Sequence, residues 1–163
     1  MAPSTSVLDN LTSTKAWGTV VRAILDGSQA PWGVEDFGSH WILAGHHIRE
    51  QVADDRALVE FLRRFLPPYE GETIWLYRGE NFGRFEAGHI GLAWTSDESV
   101  ARMFGRGLNA VGTGGVLLKA QFDSSAIISG PNDHSNYLGE SQYTLDPTCC
   151  IGLEVLEKFP PVA

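Results

Sequence analysis

Three short segments in the second half of the chain contain the side chains best suited to chemistry. They read Leu76-Tyr77-Arg78-Gly79, Gly91-Leu92-Ala93-Trp94-Thr95-Ser96-Asp97 and Leu138-Gly139-Glu140-Ser141-Gln142-Tyr143-Thr144-Leu145-Asp146-Pro147. A guanidinium such as that of Arg78 can bind phosphate oxygens with two parallel, charge-assisted hydrogen bonds. A carboxylate such as that of Glu140 can stabilise a positive charge that develops during a reaction. Each segment alone indicates little, but their order and spacing are more specific.

This order resembles that of the arginine–serine–glutamate class of ADP-ribosyltransferases. In that family an arginine strand comes first, a Ser/Thr strand with a helix after it comes second, and an acidic strand lies near the C-terminus. The resemblance covers roughly residues 73–157. It implies an α+β fold in which two small, mostly antiparallel sheets form an NAD cleft, preceded by a helical N-terminal segment.

The resemblance also implies roles for single residues. Arg78 would contact the NAD phosphates, and Gly79 would let backbone approach the nicotinamide. Trp94 and the helix after it would shape the nicotinamide site, Thr95 would support the catalytic acid, and Glu140 would address the acceptor. The implied NAD-binding residues are Tyr77, Arg78, Gly79, Trp94, Thr95 and Phe104, and the implied catalytic residues are Arg78, Thr95, Glu140 and Gln142.

Two positions depart from the family pattern. Ala93 stands where the first Ser of the strand motif is expected, and Gln142 stands at the position of the catalytic glutamate. An amide keeps the shape of a carboxylate without its charge, and losing such a charge costs about 3 kcal/mol of barrier, or about a hundredfold in rate. Three interpretations follow: a deliberately inactivated variant, a natural pseudoenzyme, or a register shifted by two residues in which Glu140 is the acid.

The function implied by the resemblance is mono-ADP-ribosyl transfer from NAD to a macromolecular acceptor, either protein or nucleic acid. Families of this size resemble bacterial or phage-linked toxins, so an antitoxin or immunity protein is an expected partner. A noncatalytic module that binds NAD or a partner protein is an alternative function. An NAD glycohydrolase, in which water replaces the acceptor, is another.

Simpler structural roles compete with the catalytic ones. Arg78 could pair with Glu72 or Glu80, and Trp94 could belong to the core. Thr95, Ser96 and Asp97 also suit the N-terminus of a helix. Glu140 could be a solvated strand residue.

The first 66 residues are predicted to be mostly helical. Residues 1–14 suit a loose lead-in, whereas apolar spacing predicts helices over 15–25, 40–49 and 54–66, with a connection at 28–39. Asp54 or Asp55 could cap the third helix, and Pro67-Pro68 would end it.

Strand signals dominate the rest of the chain. They predict strands over 73–77, 91–95, 116–122, 126–129, 141–145 and 151–158, with a helix from Ser96 or Asp97 to about Phe104. Helices followed by short strands indicate an α+β domain with a mostly antiparallel sheet.

The composition is that of one globular domain of 163 residues with a net charge of −8. That charge argues weakly against broad phosphate binding. No apolar run approaches a membrane span, and no signal peptide is recognisable, so no membrane partner is expected. The adjacent Cys149 and Cys150 are expected to be buried and reduced, and no metal site is expected. The sequence therefore predicts a cytoplasmic protein, or one delivered into a target bacterial cytosol.

Overall fold

The structure is a computed structural model that describes residues 4–132, 139 and 141–162. It divides into two compact units, residues 1–68 and 69–163. The first unit is helical and the second contains the strands. That the two units together make a single domain stays a prediction.

The helical unit has an aromatic core. Its helices are α1 (Ser4–Ser13), α2 (Trp17–Leu25), α3 (Val34–Val52) and α4 (Asp55–Phe65). Phe37 contacts the rings of Phe61 and Trp17, with centroids 5.3 Å and 5.9 Å away, and all three side chains are fully buried. Asp54 caps α4 by accepting a hydrogen bond from the Ala57 N–H, which confirms one of the two predicted caps.

Two expectations for the helical unit are wrong. Residues 4–13 form a helix rather than a loose lead-in, because Leu8 is fully buried and Thr12 accepts a 2.9 Å hydrogen bond from Trp17 Nε1. α3 begins at Val34, inside the predicted connection, because Trp32 and Phe37 stack on each other and anchor this region to the core.

The second unit contains a single sheet among the described residues. Its strands are β1 (Ile74–Asn81), β2 (Ala93–Thr95), β3 (Gly115–Phe122), β4 (Ile127–Ser129), β5 (Gln142–Leu145) and β6 (Ile151–Phe159). Its helices are α5 (Phe82–Glu86) and α6 (Glu98–Arg106), with short 3-10 turns at Leu108–Ala110, Ser124–Ala126 and Pro147–Cys149. Asp97 caps α6 by accepting hydrogen bonds from the N–H groups of Ser99 and Val100.

The α+β class and the antiparallel pairing are confirmed. The six strands follow the order β4-β5-β2-β1-β3-β6, and every adjacent pair is antiparallel. The expectation of two small sheets is wrong for the described residues, because β1 pairs with β2 on one side and with β3 on the other. Because β1 pairs on both sides, all six strands belong to one continuous sheet.

The two faces of the sheet differ in character. One, the core face, carries the buried cluster that includes Leu76, Trp94, Leu118 and Phe122. The opposite face, the α6 face, carries Trp75, Tyr77, Gly79, Thr95, Lys119 and Gln142, as strand alternation and cross-strand register require.

The expectation that both cysteines are buried is wrong, because Cys149 is exposed and Cys150 is half-buried. Cys149 lies in the turn before the edge strand β6, where its Sγ lies 3.6 Å from Asp146 Oδ2. Neither cysteine forms a disulfide. In the described part of the chain, no helix combines the length and the apolar character needed to cross a membrane.

Candidate functional site

A row of side chains crosses four neighbouring strands on the α6 face. Gln142 of β5 faces Thr95 of β2, Thr95 faces Tyr77 of β1, and Tyr77 faces Lys119 of β3. Directly opposed residues in antiparallel strands have Cβ atoms about 5 Å apart. The structure therefore brings together Tyr77, Thr95 and Gln142, which the sequence places far apart along the chain.

Thr95 has a second role at the start of α6. Its side chain is 7% exposed, and its Oγ1 accepts a 3.0 Å hydrogen bond from the Asp97 N–H. This contact places Thr95 in the turn before α6, whose N-cap is Asp97. The hydroxyl proton of Thr95 can still be donated, since an alcohol is both a donor and an acceptor.

The strand that carries Gln142 starts from an unusual backbone conformation. Ser141 has a φ of 44°, in the left-handed region that ordinary residues seldom adopt. Gly139, two residues earlier, also has a positive φ, of 72°. Glu140, the alternative catalytic acid, lies outside the described residues.

Arg78 points to the core face, away from Gln142. Its Nε donates a 2.7 Å hydrogen bond to Glu80 Oε2, and its Nη1 donates a 2.7 Å hydrogen bond to the Ala93 carbonyl. The side chain of Arg78 is 15% exposed and that of Glu80 is fully buried. The pairing of Arg78 with Glu80 that the sequence left open is confirmed, and it neutralises the guanidinium.

Glu80 is held in its charged form by its surroundings. Burial by itself would raise the pKa of the Glu80 carboxyl. The Arg78 guanidinium and the N–H groups of Gly91 and Asn81 outweigh this effect, so the pKa lies below its ordinary value of 4.5. The two N–H donors each lie 2.8 Å from a Glu80 oxygen. The carboxylate therefore ties the end of β1 to the segment that leads into β2.

Gly79 lies under α6. A Cβ at this position would meet the Ala101 carbonyl oxygen and the Gly105 nitrogen of that helix. The Gly79 carbonyl accepts a 2.6 Å hydrogen bond from Asn109 Nδ2. The space that a side chain at position 79 would fill is thus occupied by the backbone of α6. Phe104 lies half-buried on the same helix.

Trp94 belongs to the core, as the sequence allowed. Its side chain is 2% exposed, its ring packs edge-on against Phe122 at 4.9 Å, and its Nε1 donates to the Gly91 carbonyl. The cross-strand register places it on the opposite side of the sheet from Gln142. Trp94 therefore supports the site from behind the sheet.

Sequence reasoning missed two residues at the row. Lys119 and Trp75 lie on the α6 face beside Tyr77. Strand alternation carried a signal for both, because Trp75 and Tyr77 are two residues apart and Lys119 interrupts an apolar strand.

Comparisons of the chain with protein-family models, with curated proteins and with solved structures each find no match.

Proposed function

We propose that the chain is a mono-ADP-ribosyltransferase that transfers ADP-ribose from NAD to a macromolecular acceptor, protein or nucleic acid. The observation that carries the proposal is the row in which Gln142, Thr95 and Tyr77 stand side by side on one sheet face. Three separate sequence segments are needed to build this row. Their convergence supports the resemblance in a way that no single motif does.

The residues of the row suit the ribose end of NAD. NAD, when bound, supplies the bond that is cleaved and the charge that develops on its ribose. A carboxylate at position 142 would stabilise that charge, and the Thr95 hydroxyl would orient the acid. With Gln142 in place, the amide can still hydrogen-bond a ribose hydroxyl but offers no charge. The ring of Tyr77 gives an apolar wall next to this pair.

The biological setting belongs to the same proposal. In this proposal the chain is a toxin of bacterial or phage origin that acts in a bacterial cytosol. An antitoxin or immunity protein would then be its natural partner.

A noncatalytic NAD-binding module is the second candidate, and Gln142 is the observation that favours it. The amide preserves the hydrogen-bonding shape of the row while removing the group that would drive turnover. Such a protein would bind NAD and leave it intact.

The decisive experiment incubates NAD carrying a labelled ADP-ribose with cell lysate and either this chain or the Gln142→Glu variant. We expect Gln142→Glu to raise the labelling of macromolecules by about a hundredfold, because it restores a preorganised negative charge. Gln121→Glu makes the same chemical change on β3 and should gain nothing. Glu140→Gln tests the shifted register, since it would abolish activity already present in the unmodified chain.

The product pattern separates the candidates. Labelled macromolecules in the Gln142→Glu reaction support the transferase, whereas free ADP-ribose alone would indicate a glycohydrolase. If neither protein turns NAD over while both bind it, the noncatalytic module stands. Absence of both turnover and NAD binding would overturn the proposal.

A further inference from the structure

A lysine with two aromatic neighbours extends the row on the α6 face. Lys119 Nζ lies 5.1 Å from the centroid of the Trp75 ring and 5.8 Å from that of Tyr77. Both rings come from the same side of β1, and Trp75 is 43% exposed. This arrangement is a cation over an accessible aromatic surface.

Lys119 forms no salt bridge with a carboxylate among the residues that the structure describes. Within residues 4–132, 139 and 141–162, the ion pairs of the sheet unit involve Arg78, Arg84 and Arg102 but not Lys119. Glu154 of β6 faces Lys119 in the register without pairing to it. Lys119 is therefore the cation of this row that can accept an anionic ligand.

The buried pair between Arg78 and Glu80 leaves Arg78 unavailable as a phosphate ligand on the α6 face. A dinucleotide carries negative phosphates, and the guanidinium that the sequence favoured for them is already neutralised on the other side of the sheet. Lys119 lies on the same face as Gln142, three strands away. At a strand spacing of about 4.8 Å, their backbones lie about 14 Å apart. Lys119 Nζ reaches over the β1 rings that lie between them.

We propose that Trp75, Tyr77 and Lys119 form a nucleotide subsite, in which Trp75 stacks on a nucleobase and Lys119 binds a phosphate. Stacking of a base on an aromatic side chain contributes about 1–3 kcal/mol, and an ammonium–phosphate contact is a charge-assisted hydrogen bond. The identity of the natural ligand as NAD rests on the proposed function. The chemistry that the subsite recognises, a base with an adjoining phosphate, does not.

The charge of the protein favours a small ligand over a long polyanion. A net charge of −8 opposes the binding of extended nucleic acid, which needs a broad basic footprint. A single nucleotide needs only one local cation and one ring. The subsite therefore fits a mononucleotide or one half of a dinucleotide.

The test measures the dissociation constants of NAD, AMP and inorganic phosphate by calorimetry. Lys119→Gln should weaken NAD and AMP binding by about tenfold, equivalent to about 1.4 kcal/mol, and Lys119→Arg should retain most of the affinity. Trp75→Leu should weaken AMP binding and leave phosphate binding unchanged. Lys158→Gln is the matched control, because Lys158 also lies over a ring, that of Phe82 at 5.5 Å, but on the core face.

A fourth variant probes the carboxylate opposite Lys119. Glu154→Gln should tighten AMP binding severalfold by removing repulsion of the phosphate. If Gln142→Ala weakens the binding of NAD but not of AMP, the natural ligand spans the row as NAD. If Gln142→Ala weakens the binding of neither, the natural ligand of the same subsite is a free nucleotide.

Two results would overturn the subsite: equal losses of affinity in Lys119→Gln and Lys158→Gln, or no binding of AMP or NAD by the unmodified chain. Failure of the transferase proposal looks different. In that case Gln142→Glu would show no turnover while nucleotide binding still depended on Lys119 and Trp75.

Discussion

Glu80 connects the end of β1 to the segment before β2 through four hydrogen-bonding partners or charges. Its carboxylate contacts Arg78, Arg84 and the N–H groups of Asn81 and Gly91. A fully buried carboxylate is stable only when its charge is paired and its oxygens are hydrogen-bonded. Arg78 and Glu80 therefore act as a structural unit that joins β1 to Gly91 and to Ala93, the first residue of β2.

Glu80→Gln should lower the free energy of unfolding by about 3 kcal/mol, because it leaves the guanidinium of Arg78 without its partner in a largely buried place. The double variant Arg78→Met/Glu80→Gln should recover only part of that loss. It removes both charges, but the two N–H groups donate to different Glu80 oxygens, and the single amide oxygen can accept from only one of them. Urea unfolding measures both. If Glu80→Gln alone is as stable as the unmodified chain, the structural role of the Arg78–Glu80 pair is refuted.

At the scale of elements, α6 approaches the sheet so closely that glycines are needed at the contact. A Cβ on Gly79 would strike the Ala101 carbonyl oxygen and Gly105 nitrogen, and a Cβ on Gly115 would strike the Gly105 carbonyl oxygen. These neighbours are backbone atoms that cannot rotate away. The close approach fixes α6, and with it the Asp97 cap that holds Thr95.

Gly79→Ala should therefore destabilise the protein by about 3 kcal/mol, the upper end of the cost of overpacking. Gly130→Ala is the matched control, because a Cβ there would meet its nearest neighbour, Tyr69, at an ordinary 3.5 Å. It should change stability by less than about 0.5 kcal/mol. Thermal unfolding followed by circular dichroism compares the two, and similar melting temperatures would contradict the contact.

Local signals predicted the elements well where caps and periodicity are strong. Asp54 and Asp97 cap α4 and α6, and the strands lie close to their expected positions. α1 was missed because a polar segment with few apolar residues gives little periodicity, and its helix depends on burial of Leu8. In β3 only the second half alternates in burial, because Gly115–Leu118 is buried on both faces, where α6 packs against the strand.

The arrangement of the whole sheet could not be predicted from local patterns. Its strand order places β2 between β5 and β1, so Thr95 meets residues distant in sequence. The same register puts Arg78 and Gln142 on opposite faces, which a motif read along the chain does not reveal. Local patterns also do not show which partner a side chain binds, and Arg78 binds Glu80, two residues away, rather than an external anion.

At the scale of the whole molecule, the two units carry different acid-sensitive groups. In the helical unit, burial lowers the pKa of His40 below its ordinary 6.5, although Asp9 opposes this shift. Unfolded chain then binds a proton more readily, so stability falls as the pH drops below 6.5. In the sheet unit, the pKa of Glu80 is held below 4.5, so its contribution is lost only at lower pH.

Hydrogen exchange read by mass spectrometry should therefore show two acid transitions. Peptides from residues 17–52 should lose protection first, at a pH below 6.5, and peptides from 74–122 should keep it until the pH falls below 4.5, after correction for intrinsic exchange. His40→Gln removes the titrating imidazole but keeps a hydrogen-bonding group near Thr12, so the early transition should disappear while the late one remains. Simultaneous loss of protection in both units, unaltered by His40→Gln, would show that neither buried group controls the response to acid.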